Sequence, residues 1–226
     1  MFENFLNILI APKKAFPLIK EKPSWFLPWL LISVLAASVQ FGFYSLVDAE
    51  YLLDQLVQQS LLPGMGTNDL RVILQPVVDN KKILAISSAI GVPVGLLVLF
   101  LSNSIYFAFI SKFTDDNVGF KRWFALSAWC TVPTVFSALG GWLVIITSGG
   151  LIDMNALNPF SFNFLFKTEG TFTGLFSFVN VITLWTLSLL ILGYKNFTSS
   201  STLKAALVVV LPYLLIFAIW ALVLLL

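Results

Sequence analysis

The sequence predicts an all-α integral membrane protein: a polytopic bundle of five transmembrane helices, N-terminus cytoplasmic and C-terminus outside. Three observations carry this. Of 226 residues 58% are hydrophobic and 11% charged, with a mean hydropathy of +0.93, whereas a soluble domain carries about 25% charged residues. The charges are spaced so that five uncharged, mainly apolar stretches remain, each near the ~20 residues that ~30 Å of hydrocarbon requires of a helix. Basic residues also fall unevenly among the connections, and basic residues stay preferentially on the cytoplasmic side.

Residues 1–23 form the first element, an N-terminal amphipathic segment. Phe2, Phe5, Leu6, Ile8, Leu9 and Ile10 precede Lys13 and Lys14, and Phe16, Leu18 and Ile19 follow. Apolar residues interrupted by lysines predict a helix lying in the cytoplasmic interface, broken near Pro12 and again near Pro17. The membrane domain, residues 24–226, comes next. Span one covers 24–47, between Lys22 and Asp48. A signal peptide cleaved near Ala36, Ala37 and Ser38 is the competing reading; the long polar start and the apolar run on through Phe41 and Phe43 argue against it.

The connection from Asp48 to Lys82 is long enough for one or two short helices. Leu52, Leu53, Leu56, Val57 and Leu61 recur at helical spacing, Pro63, Gly64 and Gly66 interrupt, and Leu70, Ile73, Leu74 and Val77 resume. Span two covers 83–111 and span three 123–147. The following connection carries Phe160, Phe162, Phe164 and Phe166 at every second position, which predicts an extended strip with its rings on one face at the interface. Spans four and five cover 170–194 and 205–226.

Counted by connection, Lys13, Lys14, Lys20, Lys22, Lys112, Lys121, Arg122, Lys195 and Lys204 share one side, against Arg71, Lys81, Lys82 and Lys167 on the other. That imbalance sets the orientation. No charge lies within a span, and ion-coupled pumps keep ionisable groups there. The chain has no His and one Cys, which removes disulfides, Cys-His zinc sites and His acid–base chemistry. There is no intramembrane Asp pair, P-loop or dinucleotide Gly motif. The expectation is a non-enzymatic protein with no cofactor or metal. The sequon Asn196-Phe197-Thr198 falls on the cytoplasmic side, and the scattered basic residues give nucleic-acid binding no support.

Polar groups within the spans form a stripe. Span two has Gly91, Pro93 and Gly95, then Ser102, Asn103 and Ser104; span three has Ser127, Cys130, Thr131, Thr134 and Ser137 around Pro133; span four has Asn180, Thr183 and Ser188. Asn103, Ser127, Cys130, Thr131, Thr134, Asn180 and Thr183 are the candidates for a polar crevice or for helix packing, Gly91 and Gly95 for close backbone approach, and Pro93 and Pro133 for kinks. Lys13, Lys14, Lys121 and Arg122 are the candidate cytoplasmic interface.

Several separated patches resemble one family. They are Leu9-Ile10-Ala11-Pro12-Lys13-Lys14-Ala15-Phe16, Lys22-Pro23-Ser24-Trp25, Ala128-Trp129-Cys130-Thr131-Val132-Pro133 within span three, and the run from Leu184-Trp185 through Gly193-Tyr194 to Lys204-Ala205-Ala206. Together they resemble the Yip-one domain family over essentially the whole chain, and the resemblance implies a five-span bundle with a cytoplasmic N-terminus. Eukaryotic members sit in Golgi and early secretory membranes and bind Rab GTPases, typically through a long hydrophilic N-terminal region and an Asp-Leu-x-Gly-Pro stretch. This chain has neither feature and is more similar to the short prokaryotic members.

The expected function is a scaffold or membrane-organising, trafficking-type partner in a bacterial cytoplasmic (inner) membrane, with a Golgi or endoplasmic reticulum membrane as the alternative. The opposing class is a small transporter or channel subunit using the polar stripe of spans two to four. The lipid bilayer, another membrane or cytoplasmic protein, and a second copy of the chain are the partners considered.

Overall fold

The computed structural model describes residues 2–60, 66–114, 116–168 and 170–225. Two short helices, α1 (Phe2–Ile10) and α2 (Pro12–Glu21), precede the first long one, α3 (Phe26–Leu46). Next come α4 (Ala49–Ser60) and α5 (Thr67–Asp79), the long α6 (Lys81–Thr114), and the broken pair α7 (Phe120–Cys130) and α8 (Thr134–Thr147). A single 3-10 turn at Asn155–Leu157 and two short helices, α9 (Phe162–Phe166) and α10 (Thr173–Phe178), lead to α11 (Val181–Thr198) and α12 (Thr202–Leu225). Five segments are long and apolar enough to cross a membrane: α3, α6, α7 with α8, α11 and α12. Helix α6, at 34 residues, runs ~51 Å and overshoots the ~30 Å hydrocarbon. Its overhang carries Lys81 and Lys82 in the first turn and Lys112 in the last.

Pro12 sits in the first turn of α2, where its missing N–H is not needed, so it ends α1 and starts α2. The expected second break at Pro17 does not occur. Pro17 lies on the exposed side of α2, which continues to Glu21, held by the burial of Ala15, Phe16 and Ile19. Pro133 does break its span. Backbone N–H groups of Val132, Thr134, Val135 and Phe136 each bond the carbonyl three residues back, so the axis tightens through Thr131–Pro133 before α8 resumes. Pro93 leaves α6 unbroken, and its carbonyl accepts from Trp29 Nε1 at 3.1 Å.

The uncharged stretch 170–194 is not one helix. Asn180 is extended (φ −143°) and its side chain accepts from the Thr183 N–H at 2.7 Å, which makes it the N-cap of α11. The span therefore begins at Val181 rather than at residue 170. The alternating phenylalanines are not extended either. Ser161 Oγ accepts from the Phe164 N–H and starts a helical turn in which Phe162 and Phe166 stack edge to face, 5.6 Å apart. Around Ser161 and Asn180 the chain pairs locally, Phe162 N–H donating to Val179 O and Val181 N–H to Phe160 O.

Two cores result, one toward each end of the bundle. The first joins Ile8, Phe16 and Ile19 of the N-terminal helices to Phe107, Trp123, Trp129, Leu190, Tyr194 and Phe197. The second places Leu52, Leu53 and Val57 of α4 and Leu70 and Val78 of α5 against Phe43, Val47 and Ile145. Leu61, Pro63 and Gly64 lie outside the described residues. Ile73 and Val77, expected with the apolar face of α5, are exposed; Val78 takes the inner position. The outward stripe of α6, including Ile86, Ile90, Val94, Val98, Leu101 and Ile105, and most of α12 from Leu207 to Leu225 remain uncovered by protein, as lipid-facing surfaces do.

Close helix approach is made by glycines other than those expected. A Cβ at Gly91 or Gly95 would meet nothing within 4 Å. At Gly42 it would lie 2.6 Å from the Trp142 ring, and at Gly193 it would collide with the Leu126 side chain and lie 3.0 Å from the Phe16 ring.

Candidate functional site

Both candidate threonines of span three turn their hydroxyls back on their own helix. Thr131 Oγ1 donates to Ser127 O at 2.8 Å and Thr134 Oγ1 to Thr131 O at 2.8 Å, the local bonding that Ser and Thr use in apolar surroundings. Ser127 and Thr131 are buried, Thr134 is half-buried, and Cys130 is fully buried in the first core. Asn103 faces span five, where its Oδ1 accepts from Tyr213 OH at 3.4 Å. Asn180 lies at the end of α11 as its cap, and Thr183 is the residue whose N–H it binds. The seven candidate polar residues thus occupy three settings: the buried start of the span-three break, the contact between α6 and α12, and the start of α11. Among the described residues, Ser33 Oγ, Ser127 Oγ and Thr186 Oγ1 are buried span oxygens without a hydrogen-bond partner.

The basic end is more fully assembled. Aromatic residues build its base: Trp123 stacks on Tyr194 (5.3 Å between centroids) and lies near Phe197 and Phe107. Trp123 Nε1 donates to Ser111 Oγ at 3.2 Å, so the polar edge of the ring is satisfied inside the core. Helix α2 lies across α11 where Gly193 admits the Phe16 ring. Its position is fixed by two bonds to backbone acceptors, Lys20 Nζ to Phe197 O at 2.7 Å and Arg122 Nε to Lys20 O at 3.1 Å. Helix α1 reaches inward along span three, with Phe5 4.8 Å from Trp129. Trp129 is nine residues into α7, ~14 Å along its axis. Trp129 Nε1 in turn donates to Ser24 O at 2.7 Å, holding the link from α2 to α3.

The N-terminal segment therefore buries Ile8, Phe16 and Ile19 in protein, whereas Leu6, Ile10 and Leu18 stay exposed, as do Lys13, Lys14, Lys121 and Arg122. The structure brings Arg122 to α2 directly and places Lys13 opposite Lys195 and Asn196 across a surface cavity. The sequence reading missed Lys20, Trp123, Trp129, Tyr194 and Phe197. For the four aromatic residues the signal was enrichment at span ends, which reads equally as an interfacial belt, and Lys20 stood out only in the charge count.

A family model described as the Yip1 domain matches residues 6–224. The chain belongs to the Yip1 domain family. The matched stretch takes in the second half of α1 and all of α2 together with essentially all of the five spanning helices, so the docked helix α2 of this Yip1 domain lies within it. The family and the five apolar helices together make the chain a multi-pass membrane protein. No match was found among curated proteins or among solved structures.

Proposed function

We propose that this Yip1 domain protein is a non-enzymatic scaffold of a bacterial cytoplasmic membrane. In this reading α1, α2 and the 112–122 connection face the cytoplasm as the surface for a membrane or cytoplasmic partner. The observation that carries the reading is the docking of α2: Ala15, Phe16 and Ile19 are sealed in the core while Lys13 and Lys14 project from a helix that the bundle holds rigid. A preorganised exposed surface is what recognition needs, because little ordering entropy is then lost on binding. The orientation rests on the nine basic residues at this end against four at the other.

The partner surface is tested by affinity purification of the full chain from its membrane and mass spectrometry of what accompanies it. With Lys13→Ala and Lys14→Ala combined, the specific co-purifying protein is expected to fall at least ~10-fold while the amount of folded protein is unchanged, since exposed substitutions cost within about 0.5 kcal/mol. Unaltered co-purification would sink the scaffold surface. Loss of a measurable solute flux on replacing Thr131, Thr134 and Asn180 by apolar residues would favour the transport class instead. Orientation has its own check: a reporter fused after Leu226 is expected to read out on the non-cytoplasmic side, and a cytoplasmic signal would reverse the topology.

A further inference from the structure

The docking of α2 on α11 leaves a cavity of about 390 Å³ at the basic end. Its inner wall is apolar, made by Phe16 and Leu192, and its rim is polar, made by Lys13, Lys195, Asn196 and the turn hydroxyls of Ser199 and Ser200. Among the described residues, no carboxylate lines it. The vertical order follows from the helix: Leu192 lies within α11, and Ser199, in the left-handed region at φ 55°, ends it. The cavity therefore runs from the end of a spanning segment outward to the aqueous boundary, apolar where the acyl region begins and cationic where headgroups lie.

Two of the carbonyls near the end of α11 are already engaged. Phe197 O accepts from Lys20 Nζ, and Tyr194 O from Thr198 Oγ1 at 2.9 Å. Lys195 gives one bond, to Thr202 Oγ1 at 2.8 Å, which leaves two of its three N–H donors free for a ligand. Lys13 lies in the first turn of α2, the positive end of that helix dipole. Two ammonium groups, an amide and two hydroxyls above an apolar wall match one molecule type: a phosphodiester with a hydroxylated headgroup carried on an acyl body.

We infer that this cavity binds the headgroup of an anionic glycerophospholipid, with Lys13 and Lys195 on the phosphate and Asn196, Ser199 and Ser200 on headgroup hydroxyls. The inference stands on the spanning segments and the cavity and does not require the scaffold reading, so a lost partner with retained lipid, or the reverse, tells the two apart.

The test is native mass spectrometry of the full chain released from detergent with dioleoyl phosphatidylglycerol, dioleoyl phosphatidylcholine or inorganic phosphate. Phosphatidylglycerol is expected to be retained over phosphatidylcholine. Each lysine removed should weaken retention about fivefold, and Lys13→Ala with Lys195→Ala ~25-fold. Lys82→Ala with Lys167→Ala, at the opposite end, should change nothing. Lys13→Glu, at an exposed side chain, is the second variant should the double one fail to fold, and its retention should fall more than fivefold. Equal retention of the two lipids, or variants within twofold of the parent, would overturn the site. Displacement of the lipid by millimolar inorganic phosphate would overturn the lipid assignment in favour of a free anion.

Discussion

Gly193→Leu is expected to release α2 from the bundle and to lower the thermal midpoint of the detergent-solubilised protein sharply. The new side chain would have to occupy space held by Leu126 and the Phe16 ring, both essentially inaccessible. Replacing a helical glycine gains up to about 1 kcal/mol of helix propensity, but forcing methylenes into a packed core costs about 1–3 kcal/mol, and sometimes more. A leucine brings four carbons, so overpacking wins. Since Lys20 bonds the carbonyl four residues beyond Gly193, that tie should fail together with the packing. Trypsin should then cut at Lys13, Lys14 and Lys20 at least ~10-fold faster, the factor that about 1.4 kcal/mol of local opening supplies. Gly193→Ala with Leu126→Ala, which returns the lost volume, should recover most of the midpoint. An unchanged midpoint with α2 still protected in Gly193→Leu would mean that the close approach does not hold the N-terminal helices.

Trp129→Ala should be the most damaging truncation in the chain. Trp129 is buried at 1% exposure, meets Phe5 of α1 with the ring centroids 4.8 Å apart and the planes tilted, and donates to Ser24 O. Phe or Trp to Ala in a core costs about 3–5 kcal/mol. In a bilayer the transfer part of that figure shrinks, because lipid is as apolar as the core, but the lost dispersion contacts remain. The Ser24 carbonyl also loses its partner. Fluorescence-detected size exclusion after a heat ramp should show a midpoint drop larger than for Trp129→Phe, which keeps an aromatic ring but loses the donor and part of the indole's volume. Equal drops for the two variants would mean that the remaining phenyl ring contributes nothing, and that the donor and the outer part of the indole carry the effect.

How much was legible in the sequence depends on which physical property wrote each signal. The spans are legible because the bilayer excludes charge, so the gaps between charges mark them. The same signal fails at residues 170–180, since freedom from charge measures what lipid tolerates, whereas a helix begins where a cap such as Asn180 lets it. The alternating phenylalanines are too short a run for period two to outweigh the Ser161 cap. Amphipathicity identifies α1 and α2 as helices with one apolar face, but it cannot say whether that face meets lipid or protein. Here Phe16 meets Gly193. The hydroxyls of Thr131 and Thr134 look like crevice lining in sequence because their return to their own helix carbonyls leaves no trace in spacing. Gly91 and Gly95 have the spacing of a contact and no neighbour, while Gly42 and Gly193 make contacts that no spacing announces.

The bond from Lys20 to the Phe197 carbonyl joins residues 177 positions apart, and that separation imposes an order on biogenesis. At about 5–20 residues per second, α2 is finished roughly 10–35 s before its acceptor leaves the ribosome. Through that interval span three alone is there to cover part of the face bearing Phe16 and Ile19, and the side that meets Gly193 has no partner. The earliest helices to be made are thus among the last to be fully seated, and completing the fourth span is what closes their dock in the bundle.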